Sequence, residues 1–124
     1  VTSPRPALWP AALAADLVLV VIFAAVGMRS HHGSFSLVAL AETAWPFLAA
    51  AVLGWLVARG WRRPTALATG VVVWILAAGG GMILRVATGG GFAWSFLVVT
   101  LVVLGAFLVG WRAIWALVRR ARRA

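Results

Sequence analysis

The sequence predicts an all-α membrane protein, four transmembrane helices in an up-down bundle. Three observations carry this. Of 124 residues, 65% are hydrophobic and only two, Asp16 and Glu42, are acidic. A soluble domain this small leaves too much surface exposed to hide such an apolar fraction. The apolar residues fall in four runs of about twenty, the length that crosses a bilayer as a helix. All eleven basic residues are Arg, and they gather at the ends of those runs. A single integral membrane domain accounts for residues 1–124.

The elements follow in order. Val1 to Trp9 is a proline-punctuated lead whose one charge is Arg5. Helix one is expected over about 10–27, with Pro10 suited to a first helical turn. Asp16 inside this run and Met28-Arg29-Ser30 after it make a poor signal peptide, so the segment reads as a retained helix. A loop, Met28 to Ser36, carries His31 and His32. Helix two is expected over about 37–58. Within it Pro46 cannot donate to the carbonyl of Glu42, four residues back, and a kink is expected there. The second loop holds Arg59, Arg62 and Arg63, and helix three runs over about 66–84 through Gly79-Gly80-Gly81, a flexible or closely packed point. A glycine-rich loop from Arg85 leads to helix four, about 92–118, which ends in Arg119-Arg120-Ala121-Arg122-Arg123.

With four spans, the N-terminus, the second loop and the C-terminus share one side. That side holds nine arginines, Arg112 counted among them, and the other side holds Arg29 and Arg85. The positive-inside rule then puts both termini in the cytoplasm of a bacterial cell. Trp55, Trp61, Trp111 and Trp115 fall near the inner boundary, where an aromatic belt belongs. A weak repeat divides the bundle into two tandem hairpins. Gly27-Met28 and Gly54-Trp55 in the first correspond to Gly81-Met82 and Gly110-Trp111 in the second, and Asp16 then corresponds to Gly70. Chance similarity is the competing explanation.

Few residues can carry chemistry. Asp16 lies near mid-membrane, where an ionisable group costs at least a few kcal/mol. It reads either as a proton or cation site, or as a paired aspartate that locks helix one to a neighbour. Glu42 lies about 8 Å from the outer end of helix two, within reach of Arg85 and Arg29, and an ion pair with either is geometrically easy. His31 and His32 are adjacent on the expected loop and do not make a two-ligand face, so no metal is expected; a pH-titrating surface histidine is the plainer reading. Cysteine is absent, which removes disulfides, thiol catalysis and Cys-ligated metals. No nucleotide loop or catalytic triad is present, so neither an enzyme nor a cofactor is expected. The net charge of +9 sits at helix ends and not on a soluble basic face, which argues against nucleic acid. The Arg-rich C-terminus is expected to attract anionic lipid. Small residues at helical spacing, such as Ala50 with Gly54 and Ala77 with Gly81, allow close helix packing within or between subunits.

Asp16, Arg29-Ser30-His31, Thr43-Ala44-Trp45-Pro46-Phe47-Leu48, Gly81-Met82-Ile83-Leu84-Arg85 and Gly110-Trp111-Arg112 resemble the DUF3054 family over nearly the whole chain. The resemblance implies a small four-helix membrane protein of actinobacterial type and supplies no activity. The favoured expectation is a non-catalytic accessory or assembly module whose buried charges link its helices. The alternative is a small oligomeric transporter or channel-like protein that uses Asp16 and Glu42 as proton or cation sites.

Overall fold

The computed structural model describes residues 7–32 and 36–123, and of residues 29–32 the backbone alone. Four helices are long and apolar enough to cross a membrane, and there is no strand among the described residues. Helix α1 is Trp9–His32, α2 is Leu37–Ala58, α3 is Leu67–Ala87 and α4 is Trp94–Arg123. Each packs against its neighbours in sequence, and α1 also packs against α4. The bundle is therefore a closed square with α1–α3 and α2–α4 on its diagonals. Short loops make successive helices antiparallel, so the start of α1, the α2–α3 turn and the end of α4 share one side of the bundle, here called the termini side.

The helix ends have local causes. Ser36 caps α2, its hydroxyl accepting from the amide of Ala39 at 3.0 Å. At the other end Arg59 adopts a left-handed conformation (φ 51°), and the amide of Gly60 donates to the carbonyl of Trp55. A side chain on Gly60 would sit 2.2 Å from the Trp55 ring, so only glycine closes this turn. Helix α1 continues through His31 and His32, which corrects their expected loop position; their side chains and that of Arg29 lie outside the described residues. Helix α4 likewise continues through Arg123.

Helix α2 runs unbroken through Pro46, whose ring is buried. The hydroxyl of Thr43 donates to the carbonyl of Ala39 at 2.8 Å. Helix α3 is not uniform: Leu76–Gly80 form a π-helical turn, with Gly79 and Gly80 inside it. This turn faces α2 at close quarters. A Cβ on Gly54 would lie 3.0 Å from the Cα of Val73, and one on Gly81 would lie 2.3 Å from the Phe47 ring. The small residues thus let two backbones approach, as expected where van der Waals contact replaces the hydrophobic effect.

The core has two characters. Away from the termini, Phe23 of α1, Phe47 of α2 and Phe96 of α4 form an aromatic cluster, with ring centroids 5.4–6.2 Å apart. Mid-bundle, Val20, Ala51, Val73, Ala77 and Leu104 are fully buried. Near the termini side the buried interior turns polar.

Candidate functional site

The polar interior is centred on Asp16, which is wholly buried two turns into α1. Its carboxylate meets four donors. Oδ1 accepts from Nη1 of Arg112 at 2.9 Å and from the indole of Trp111 at 2.8 Å. Oδ2 accepts from Nη2 of Arg112 at 2.7 Å and from the indole of Trp55 at 2.8 Å. The Arg112 contact is a two-pronged fork, the strongest arrangement for this pair. A carboxylate offers about four lone-pair sites, so the carboxylate is saturated by protein.

Arg112 is also wholly buried. Its Nε donates to the carbonyl of Pro64 at 2.9 Å, and Nη1 donates a second bond to the carbonyl of Leu108 at 2.8 Å, beside the point where α4 is interrupted at Val109. Its guanidinium carbon stands 4.5 Å from the Trp111 ring centroid, a cation–π distance. Every helix takes part: α1 gives Asp16, α2 gives Trp55, α4 gives Trp111 and Arg112, and the turn before α3 gives the Pro64 carbonyl. Helix α3 contributes by an omission. A Cβ on Gly70 would lie 2.7 Å from the Cδ of Arg112 and 3.1 Å from the carbonyl of Leu108. The arginine passes over a glycine because nothing larger fits. No buried side-chain nitrogen or oxygen among the described residues lacks a partner.

Such saturation decides the energetics. Two charges removed from water each carry a penalty of several kcal/mol, recovered only with good geometry and with the remaining donors and acceptors satisfied. Here the carboxylate is fully met, and four of the five N–H groups of Arg112 have acceptors. Of the two readings of Asp16, the geometry is that of the paired aspartate that joins α1 to its neighbours.

The other candidates are not brought to this place. Glu42 and Arg85 do not form the expected ion pair. The buried residues of α2, Ala44, Phe47, Ala51 and Trp55 among them, recur on one face, and Glu42 falls off that face and is exposed. Arg85 instead donates through Nε to the carbonyl of Gly91 at 3.1 Å and places its guanidinium 4.8 Å from the Phe96 ring centroid. The loop folds back to meet it: the amide of Gly90 donates to the carbonyl of Arg85, and Gly89 takes a positive φ of 93°. A cavity of about 310 Å³ at this end is lined by Met28, Thr43, Arg85 and Phe96. No cluster of three or more potential metal ligands occurs among the described residues.

Arg112 and Trp55 were misplaced by sequence reasoning, as a topology charge and a belt residue. Trp61 and Trp115 are exposed as belt residues are, whereas Trp55 is buried. Depth along the helices was the available signal. Helix α4 continues for eleven residues beyond Arg112, so Arg112 lies roughly 16 Å from the end of that helix. Asp16, seven residues into α1, is roughly 10 Å from its own.

A bundle of four membrane-length helices, sealed by a buried ion pair and an aromatic cluster, defines a small multi-pass all-α membrane protein. The family model described as "Protein of unknown function (DUF3054)" matches residues 13–115, most of the chain, including Asp16, Trp55, Trp111 and Arg112. The chain belongs to the DUF3054 family. No curated protein and no solved structure matches it.

Proposed function

We propose that this chain is a non-catalytic accessory or assembly module of the bacterial cytoplasmic membrane, with both termini in the cytoplasm. The observation that supports it most is the saturated Asp16 carboxylate. A proton or cation carrier needs a carboxylate that can release one partner and take another. Here Asp16 is wholly buried and holds two indoles and an arginine fork at 2.7–2.9 Å. Glu42, the other acidic residue, is exposed and lies off the buried face of α2 that carries Trp55. The ion pair acts as a clamp that fixes the relative placement of the helices, and the exposed apolar faces are left for lipid or for another subunit. The arginine imbalance across the bundle supports the orientation. Arg119, Arg120, Arg122 and Arg123, all exposed at the end of α4, are suited to an anionic bilayer surface.

The test is flux. Purified protein in sealed vesicles loaded with a pH-sensitive dye, under an imposed potassium diffusion potential, is expected to pass protons no faster than empty vesicles. The Glu42→Gln and Asp16→Asn variants are expected to match it. A proton flux in the unaltered protein that Glu42→Gln removes, or that Asp16→Asn removes while the variant keeps its folded size-exclusion profile, would replace the module by the transporter.

A further inference from the structure

The α2–α3 turn on the termini side carries three arginines, Arg59, Arg62 and Arg63. All three are exposed, and their guanidinium groups have no hydrogen-bond or ion-pair partner among the described residues. They stand on the rim of a cavity of about 470 Å³. Its other wall is Ala58 at the end of α2 and Ala68, Thr69 and Val72 on the first turns of α3, the Thr69 hydroxyl being spent on the carbonyl of Arg63. Ala58 and Val72 belong to the membrane-length helices, and the arginines lie just beyond them. The cavity therefore runs from the ends of two membrane-length helices to the three arginines beyond them.

The turn is also held in place. Its start is closed by the Gly60–Trp55 contact. Its end is tied twice, since the hydroxyl of Thr69 donates to the carbonyl of Arg63 at 2.7 Å and Arg112 donates to the carbonyl of Pro64 at 2.9 Å. Trp55 and Arg112 are themselves the partners of Asp16. The buried clamp thus fixes the backbone that presents the three arginines. A freely solvated basic loop would need no such anchoring.

We propose that this cavity binds one anionic glycerophospholipid of the leaflet on the termini side, its phosphate among Arg59, Arg62 and Arg63 and the first part of an acyl chain along Ala58, Ala68 and Val72. The shape argues for a lipid over a free anion, because a phosphate ion would use only the rim. The exposed arginines at the end of α4 line a different cavity, which Arg119, Arg120 and Arg123 share with Thr65 of the turn and with Trp115. An occupied site would bind the lipid between α2 and α3 at the point where the clamp is tied.

The experiment uses the full-length protein in phosphatidylcholine bilayers doped with spin-labelled phosphatidylglycerol or spin-labelled phosphatidylcholine. Electron paramagnetic resonance reads the fraction of each label held at the protein. Phosphatidylglycerol is expected to be preferred, by roughly fivefold for each arginine engaged. The Arg62→Gln/Arg63→Gln variant, altered only at exposed positions, is expected to lose most of that preference and to keep its thermal stability. A variant with Gln at 119, 120, 122 and 123 is expected to keep it. Equal retention of both labels, or a preference lost with the C-terminal arginines and kept with the turn variant, would overturn the site. Complete displacement of the label by millimolar inorganic phosphate would overturn the lipid as its ligand.

Discussion

Gly70 shows how closely the clamp is fitted. It lies on α3, two residues beyond Ala68, and leaves the space that the Arg112 side chain fills. A methyl group there must push Arg112 or part α3 from α4. Gly70→Ala is expected to cost about 1–3 kcal/mol, measured by denaturant titration in detergent micelles. Gly79→Ala is the control: a Cβ there meets nothing within 4 Å, and the change is expected to be within about 1 kcal/mol of neutral. The indoles offer a second reading at this scale. Trp55→Phe keeps the ring and removes one donor to Oδ2, leaving that side of a buried carboxylate short of a bond. The expected cost is about 1–3 kcal/mol, whereas Trp61→Phe, at an exposed position, should cost little. Asp16 was visible in the sequence as a costly residue, but its partner was not. Counting Arg112 among the interfacial arginines hid the one arginine among the described residues that is buried.

The helices themselves were legible because hydropathy marks them. Helix α2 spans Leu37–Ala58, as its apolar run does. Helix α1 runs past its expected end because Arg29 to His32 are polar without being helix breakers, and polarity alone does not stop a helix at a membrane surface. The π turn of α3 left no trace in hydropathy, since it is a change in backbone hydrogen-bond register; the three glycines pointed to the place and not to the form. The turn has a consequence. One residue too many in an α-helix rotates everything beyond it by roughly 100°, and a π turn absorbs that residue. Deleting Gly79 is therefore expected to convert Leu76–Gly80 to regular helix, to keep Gly70 and Gly81 on their present faces, and to leave a folded protein. Deleting Val72, outside the turn, should instead rotate the rest of α3 and abolish folding. Size-exclusion profiles and melting curves in detergent would distinguish the two variants.

For the molecule as a whole, the arginine imbalance and the positive-inside rule lead to one expectation. A reporter active only outside the cytoplasm, fused after Ala124, should give no signal, and the same reporter in the α3–α4 loop should give a strong one. The bundle joins two unlike seals, an aromatic cluster at one end and a paired charge at the other, with α1, α2 and α4 bonded to the second and α3 packed against it. Composition and hydropathy were enough to read the four spans, because they depend on single segments. The Glu42–Arg85 pair was wrongly expected, and the Asp16–Arg112 pair missed, because pairing depends on which faces meet across helices. The central claim is that Asp16 and Arg112 act as a unit that holds the bundle together. A double-mutant cycle tests it most directly, with Asp16→Asn, Arg112→Met and the combination compared by unfolding free energy in detergent. Each single change strands a buried polar partner and is expected to cost about 3–5 kcal/mol, while the double variant should lose clearly less than the sum. Single losses that simply add, or an Asp16→Asn protein as stable as the unaltered one, would contradict the account.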